Sequence, residues 1–272
     1  MRTVAQCLQR DCRPVSRSEM RLLLAAALDK PKEFLIAHPE AALTEEQLAR
    51  FDSFLERARQ AEPIPYILGV QEFWGRPFRV TPATLIPRPD TETLIEQALA
   101  FLQAKPEARI LDLGTGSGCI AVTLALECPR AQVWACDKST AALEIARENA
   151  SLLHADVTFS ESDWFGAFAD ESFDLIVSNP PYIEENDVHL KALRFEPISA
   201  LTSGADGLAD IRTLAMQAQK HLRAGGCVLV EHGYNQGESV AEIFRRAGFA
   251  FVRTITDLGG NPRLCQAMNP DR

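Results

Sequence analysis

Apolar and polar positions follow two regimes along this chain. Up to about residue 62 the apolar positions recur at helical spacing, as at Leu22, Leu23, Ala26 and Ala27. Thr44-Glu-Glu-Gln47 has the form of a capping box, in which a threonine and a glutamine three residues on satisfy each other's free backbone amides. It predicts a helix running to about Ala61. The segment Pro31 to Pro39 is expected to separate helices. Residues 1–62 therefore read as a small helical bundle.

Residues 63–89 change character. Pro63, Pro65, Gly69, Gly75 and Pro77 punctuate aromatic and β-branched residues, which predicts a β-hairpin linker spanning Tyr66 to Ile86. From Asp90 onward helices and strands alternate. Strands are expected at Arg109–Leu113, Gln132–Cys136, Val157–Phe159, Phe173–Val177, Cys227–Glu231, Ala250–Thr254 and Leu264–Met268. Helices are expected at Asp90–Gln103, Ile120–Leu126, Thr140–Leu153, Leu208–Leu222 and Ser239–Ala247. Alternating βα units imply an α/β fold with a mostly parallel, Rossmann-like sheet of seven strands, helices on both faces. The expected domains are thus 1–62, the linker 63–89, and a catalytic domain 90–272.

Composition narrows the class. The 272 residues are 46% hydrophobic and 24% charged, which suits a globular chain with a sizeable core. The net charge is −9, and residues 1–62 carry ten basic and ten acidic side chains, so the excess lies entirely in the rest. Grip on a phosphate backbone needs several Lys or Arg contacts. An acidic catalytic half disfavours a nucleic-acid partner and suits a basic protein partner better. Seven cysteines without a C-x-x-C pair are expected to be free buried thiols in a reducing cytosol. The five histidines show no ligand spacing, so no metal is expected. The apolar run Leu22–Leu28 is far short of the roughly 20 residues a membrane span needs, and no cleavage site follows it. A cytoplasmic monomer is the expectation.

The stretch Ile110-Leu-Asp-Leu-Gly-Thr-Gly-Ser-Gly118 ends a predicted strand and opens a predicted helix. Glycines there let the backbone turn sharply and approach a ligand closely. The dinucleotide fingerprint requires glycine at its sixth position, where Cys119 stands, so a nicotinamide cofactor is not indicated. Asp137 follows 23 residues after Gly114, at the end of the next strand, where a carboxylate can accept from both hydroxyls of a ribose. Asp112 is open between contacting the cofactor and holding the loop. Asp163-Trp164 follows the third strand. Trp164 is placed to lie against an adenine face and Asp163 to accept from its amine; the alternative is a helix cap beside a core tryptophan.

Phe173-Asp-Leu-Ile-Val-Ser-Asn-Pro-Pro-Tyr182 is a buried strand running into a rigid turn. Proline has no backbone N–H, so nearby carbonyls stay free to accept. The Asn179 side-chain oxygen and the Pro180 backbone oxygen can take both hydrogens of one planar NH2 group, while Pro181 stiffens the turn and Tyr182 can pack on the flat acceptor. Downstream of the glycine loop, Asn179-Pro180-Pro181-Tyr182 points to methyl transfer from S-adenosyl-L-methionine to a planar amide or amine nitrogen. S-adenosyl-L-homocysteine would be the product.

Other segments resemble one family. Pro65-Tyr-Ile-Leu-Gly69, Glu72-Phe-Trp74, Leu85-Ile-Pro-Arg-Pro-Asp-Thr-Glu92, Glu196-Pro197, Ala200-Leu201, Gly207-Leu208 and Asp257-Leu-Gly-Gly260 strongly resemble the HemK-type peptide chain release factor glutamine methyltransferases of bacteria. The likeness covers nearly the whole chain from Pro63, and the N-terminal helical domain matches in length and type. The resemblance implies a class I methyltransferase fold and methylation of the glutamine in the Gly-Gly-Gln loop of class I release factors. By position, the cofactor residues it implies are Gly114, Thr115, Gly116, Ser117, Gly118, Asp137, Trp164 and Asn179. The acceptor site it implies is Asn179, Pro180, Pro181 and Tyr182. The family usually has an acidic residue where Pro262 stands.

Three other readings share some of these features. A glutamine methyltransferase of a ribosomal protein shares the motifs, but its relatives lack the Pro-Arg-Pro-Asp-Thr-Glu run. A methyltransferase of adenine or guanine in nucleic acid shares the tetrapeptide, but the acidic catalytic half and the missing basic patch argue against it. A non-catalytic binding module would not be expected to keep Gly114, Gly116, Gly118, Asp137 and Asn179 together.

Overall fold

The computed structural model describes residues 2–270, which fall into two compact units, Met1–Val70 and Gln71–Arg272. The first holds five helices: α1 (Val4–Leu8), α2 (Arg17–Leu28), α3 (Lys32–Ala37), α4 (Glu45–Arg59) and α5 (Ile64–Leu68). Capping boxes at Thr3, Ser16 and Thr44 open α1, α2 and α4. The buried face of α2 is Met20, Leu23, Leu24, Ala27 and Leu28, so Leu22 and Ala26 sit at its margin. It packs with Phe51 and Leu55 of α4. Between Pro31 and Pro39 lies α3 rather than a plain connection, because a proline costs nothing at a helix start, where its missing N–H would be unpaired anyway. This unit continues past residue 62. Arg57 pairs with Glu62 and donates to the carbonyls of Tyr66 and Ile67, which draws α5 onto the bundle.

In the second unit the hairpin is shorter than Tyr66 to Ile86. Strands β1 (Val70–Phe73) and β2 (Arg76–Arg79) are joined at Trp74 and Gly75, both with left-handed φ (53° and 68°), the geometry of a tight two-residue turn. Then come α6 (Glu92–Leu102), β3 (Arg109–Leu113), α7 (Cys119–Glu127), β4 (Gln132–Asp137), α8 (Thr140–Leu153), β5 (Thr158–Glu161) and β6 (Phe173–Ser178). The chain continues through α9 (Ala209–Ala218), β7 (Leu222–Glu231), α10 (Gly237–Arg246), β8 (Phe251–Thr256) and β9 (Pro262–Met268).

The seven-stranded sheet has the order β5-β4-β3-β6-β7-β9-β8. Neighbours from β5 to β7 are parallel, and β9 runs antiparallel to both β7 and β8. Residues Ile110, Leu175, Val177 and Leu229 face a core with α6 and α7. Leu111, Ile176, Val228 and Val230 face a second core with α9 and α10. Every residue of β6 is buried, as its unbroken apolar run requires of a central parallel strand. The chain winds outward to β4 and β5 from β3, then back across to β6. The order reverses beside β3, where the carboxyl ends of β3 and β6 leave a crevice. All seven cysteines are free thiols and six are buried. Among the described residues no helix is long and apolar enough to cross a membrane.

Candidate active site

At that crevice opens a cleft of about 940 Å³, measured out to solvent. The loop after β3 forms its floor. The amides of Gly114 and Thr115 both donate to the Cys136 carbonyl at 2.9 Å, and Gly116 N–H donates to Asp137 Oδ2 at 3.0 Å. Asp112 is fully buried and off the cleft wall. Its Oδ2 accepts from the Thr115 hydroxyl at 2.6 Å and from the Ala121 amide at 3.2 Å. These bonds tie Asp112 to the loop through Oδ2, while its Oδ1 is buried with no hydrogen-bond partner among the described residues. Burial pushes its pKa up to about 7, against the lowering effect of those hydrogen bonds.

Gly114, Thr115, Gly116, Ser117, Asp137, Asp163 and Trp164 all line the cleft. Gly118 does not. It caps α7 at φ 81°, and a Cβ there would sit 3.1 Å from the Ala146 Cβ, so its bareness lets α7 pack on α8. Asp137 accepts one backbone N–H on each oxygen, from Gly116 and Ser139, which leaves lone pairs free toward the cleft. The Trp164 ring stands 3.5 Å from where a Gly114 Cβ would be, so glycine there makes room for the indole. Ser117 Oγ is buried with no hydrogen-bond partner among the described residues. A glycine backbone, a part-free carboxylate at a strand end and an indole on one wall are the set that a nucleoside with a flat base and a ribose diol needs. S-adenosylmethionine fits these residues.

The acceptor tetrapeptide leaves β6 at the other end of the cleft. Ser178 anchors the strand end by donating to the Leu113 carbonyl at 2.7 Å. Asn179 and Pro181 lie on the cleft wall; Pro180 and Tyr182 do not. Asn179 Nδ2 donates to the Thr91 hydroxyl at 3.2 Å, while its Oδ1 is buried with no partner among the described residues. The Tyr182 ring packs against the α9/α10 core and its hydroxyl donates to Glu231 at 3.3 Å. Burial raises the tyrosine pKa, and the neighbouring Glu231 charge adds to that. The Tyr182 carbonyl accepts from Gln236 Nε2 at 2.9 Å. Gly207 presses on it so closely that a Cβ there would lie 2.3 Å from that oxygen.

The segment Ile86 to Glu92 is a strap over this site. Glu196 accepts from the Ile86 amide and pairs with Arg88. Arg263 pairs with Asp90 at 3.0 Å, Thr91 holds Asn179, and Glu92 accepts from the Trp74 amide at 2.9 Å. The Pro262 departure falls at the start of β9, and the loop before it is held by Asp257, which accepts from the Asn261 amide and pairs with Arg263. Thr91 and Glu196 stand in segments that carry the family resemblance, but their contacts in the site, like Glu231 altogether, escape a reading of the residues alone. A threonine and two glutamates 105 and 140 residues further on have no shared spacing to announce them.

Residues 91–223 match the family model "Methyltransferase small domain", and residues 1–69 match "PrmC N-terminal domain". The release factor glutamine methyltransferase of Escherichia coli (strain K12) is 46% identical over 251 residues, covering 91% of this chain and 90% of that protein. The protein of the same name from Pseudomonas aeruginosa is 49% identical over 254 residues, 92% of each chain. Among solved structures, a methyltransferase from Pyrococcus furiosus aligns with a TM-score of 0.54 at 20% identity, over 73% of this chain and 91% of that one. That last likeness bears on the fold alone.

Proposed function

Since this chain belongs to the family of release factor glutamine methyltransferases, we propose that it methylates the side-chain amide nitrogen of the glutamine in the Gly-Gly-Gln motif of class I peptide chain release factors. S-adenosylmethionine supplies, when bound, a sulfonium-activated methyl that needs only in-line approach of a nitrogen lone pair. Gly114, Thr115, Gly116 and Ser117 would cradle it, Asp137 would accept from its ribose, and Trp164 would pack on its base. Asn179 sits where these meet the acceptor.

The observation that carries the reading is the orphaned Asn179 Oδ1. A buried amide oxygen without a partner is costly, and a substrate N–H would relieve it. Asn179 Oδ1 takes one amide hydrogen, and the Pro180 carbonyl takes the other. Both hydrogens are then held in the amide plane, which presents the nitrogen lone pair, perpendicular to that plane, to the methyl. The extra proton leaves after transfer, so no strong base is required. Tyr182 and Pro181 keep the tetrapeptide rigid.

The test incubates the protein with methyl-labelled S-adenosylmethionine and a release factor, beside the same factor with its loop glutamine replaced. Label should appear on the first and not the second. Asn179→Ala should lower turnover by about 100-fold or more, the scale of removing one group that aligns the reacting atoms, with cofactor affinity measured by calorimetry nearly unchanged. Near-normal turnover of that variant would remove the mechanism.

A further inference from the structure

Asn149 stands on the buried face of α8, 1% exposed, in a row with Ala142, Ala146 and Ala150. A buried amide must find its hydrogen-bond partners inside the protein. Asn149 finds them on the backbone of two other segments. Its Oδ1 accepts from the Arg79 N–H at 2.7 Å, while Nδ2 donates to the Arg79 carbonyl at 3.0 Å and to the Ser117 carbonyl at 2.8 Å. A backbone N–H can only donate and a backbone carbonyl can only accept, so these partners fix which end of the side-chain amide bears the oxygen. Both Nδ2 hydrogens are used. One side chain thus joins segments that lie 70 and 32 residues from it along the chain.

Both segments lead into the cleft. Ser117 belongs to the glycine loop, whose other residues are held elsewhere. Gly114 and Thr115 are tied to the Cys136 carbonyl, and Gly116 to Asp137, all on β4. Gly118 rests on Ala146, which precedes Asn149 by one helical turn on the same face of α8. Arg79 ends β2, and the chain beyond it lines the cleft with Ala83, Thr84, Leu85 and Arg88. Asn149 itself does not line the cleft. We propose that Asn149 is a positioning residue for the cofactor, holding the glycine loop and the segment that leads into the strap at a fixed distance from each other. The neighbouring pair Arg79–Glu148 is about half exposed on both sides and adds little to this tie. Without the Asn149 NH2 group, the Arg79 and Ser117 carbonyls lose their buried donor, and both pieces of the cleft lining are free to shift.

This role rests on the cofactor reading given above, and the measurements separate the two. Asn149→Asp keeps the shape and the oxygen that accepts from Arg79, but sets a second oxygen against the two carbonyls. Asn149→Ser leaves room for water to reach them. At a temperature where circular dichroism shows each protein folded, calorimetry should give Asn149→Asp an S-adenosylmethionine Kd raised about tenfold or more, the scale of a buried carbonyl left unpaired. Asn149→Ser should raise it by less, but by about threefold or more. For both variants kcat at saturating cofactor should stay within about threefold of wild type, because the turn that bears Asn179 is held by Thr91, Gln236 and Gly207 and not by Asn149. The rise in melting temperature produced by a fixed concentration of S-adenosylmethionine should shrink in both variants. A residue that served the fold alone would lower the melting temperature and leave that rise intact. A smaller increase in Kd for Asn149→Asp, an intact rise, or a loss of kcat in place of affinity overturns the role. If Asn149→Asp does not fold, Asn149→Ser decides by its own criterion. A wild type that does not bind S-adenosylmethionine sinks the cofactor reading and this role with it; a binding wild type beside an equally tight Asn149→Asp sinks this role alone.

Discussion

At the scale of single residues, two buried carboxyls act on stability in the same direction. Asp112 and Glu231 are both fully shielded, and burial pushes each up to about 7. In the unfolded chain they ionise near 4. Between about pH 4 and 7 the folded protein therefore holds protons that the unfolded chain has released. Stability must fall as pH rises through that window, by up to about 1.4 kcal/mol per pH unit for each group. Glu231→Gln removes one of the two. Urea denaturation at pH 5, 6, 7 and 8 should show the variant gaining on wild type as pH rises. A constant gap would mean that Glu231 is not held near neutrality. Asp137 makes a separate prediction. Asn in its place keeps one oxygen for the loop amides but loses the charge and lone pairs that remain toward the cleft. Asp137→Asn should weaken cofactor binding by about tenfold or more, the scale of a charge-assisted hydrogen-bond pair, as read by calorimetry.

At the scale of elements, the site depends on segments that are not strands or helices. The turn after β6 is pinned from three directions, by Thr91 on the strap, by Gln236 ahead of α10 and by Gly207 ahead of α9. Gly207 has φ 70° and no room for a side chain. Gly207→Ala should cost about 1–2 kcal/mol from the left-handed backbone alone, with more from the clash on the Tyr182 carbonyl. Turnover should drop beyond what the lowered melting temperature explains, because the clash displaces the acceptor turn. An alanine variant with normal melting and normal turnover would show that this packing is dispensable. The strands and helices of the large sheet were mostly legible, whereas α3 and α5 were not. The span Thr140–Leu153 follows from its apolar period, and the glycine loop marks the β3–α7 junction. The start of β7 was not legible. Arg223-Ala-Gly-Gly226 has no alternating pattern, and the ladder to β6 slips between Phe173 and Leu175. Only Leu222 pairs ahead of the slip, so the strand begins five residues before its apolar run.

At the scale of the whole molecule, sequence motifs carry chemistry that lies close along the chain, and tertiary closure supplies the rest. Gly114 to Ser117, Asp137 and Trp164 follow successive strands of one sheet, so a βα reading already gathers them. Thr91 and Asn179 are 88 residues apart, and Tyr182 and Glu231 are 49 apart. Neither pairing has a period or a motif of its own. The first unit ends later than composition suggests for the same reason, since Arg57 captures α5 through backbone carbonyls that no side-chain pattern reports. Charge is the one global property legible without the fold. With a net charge of −9 and all of the excess outside residues 1–62, duplex DNA added at physiological salt should neither accept label nor slow transfer to a protein substrate. The most direct measurement presents the enzyme and methyl-labelled S-adenosylmethionine with a release factor, its loop-glutamine variant, a ribosomal-protein fraction and DNA, side by side. Label is expected on the intact release factor alone, at the glutamine amide. Label that persists on the glutamine variant, or that appears only on ribosomal protein or DNA, would contradict this reading.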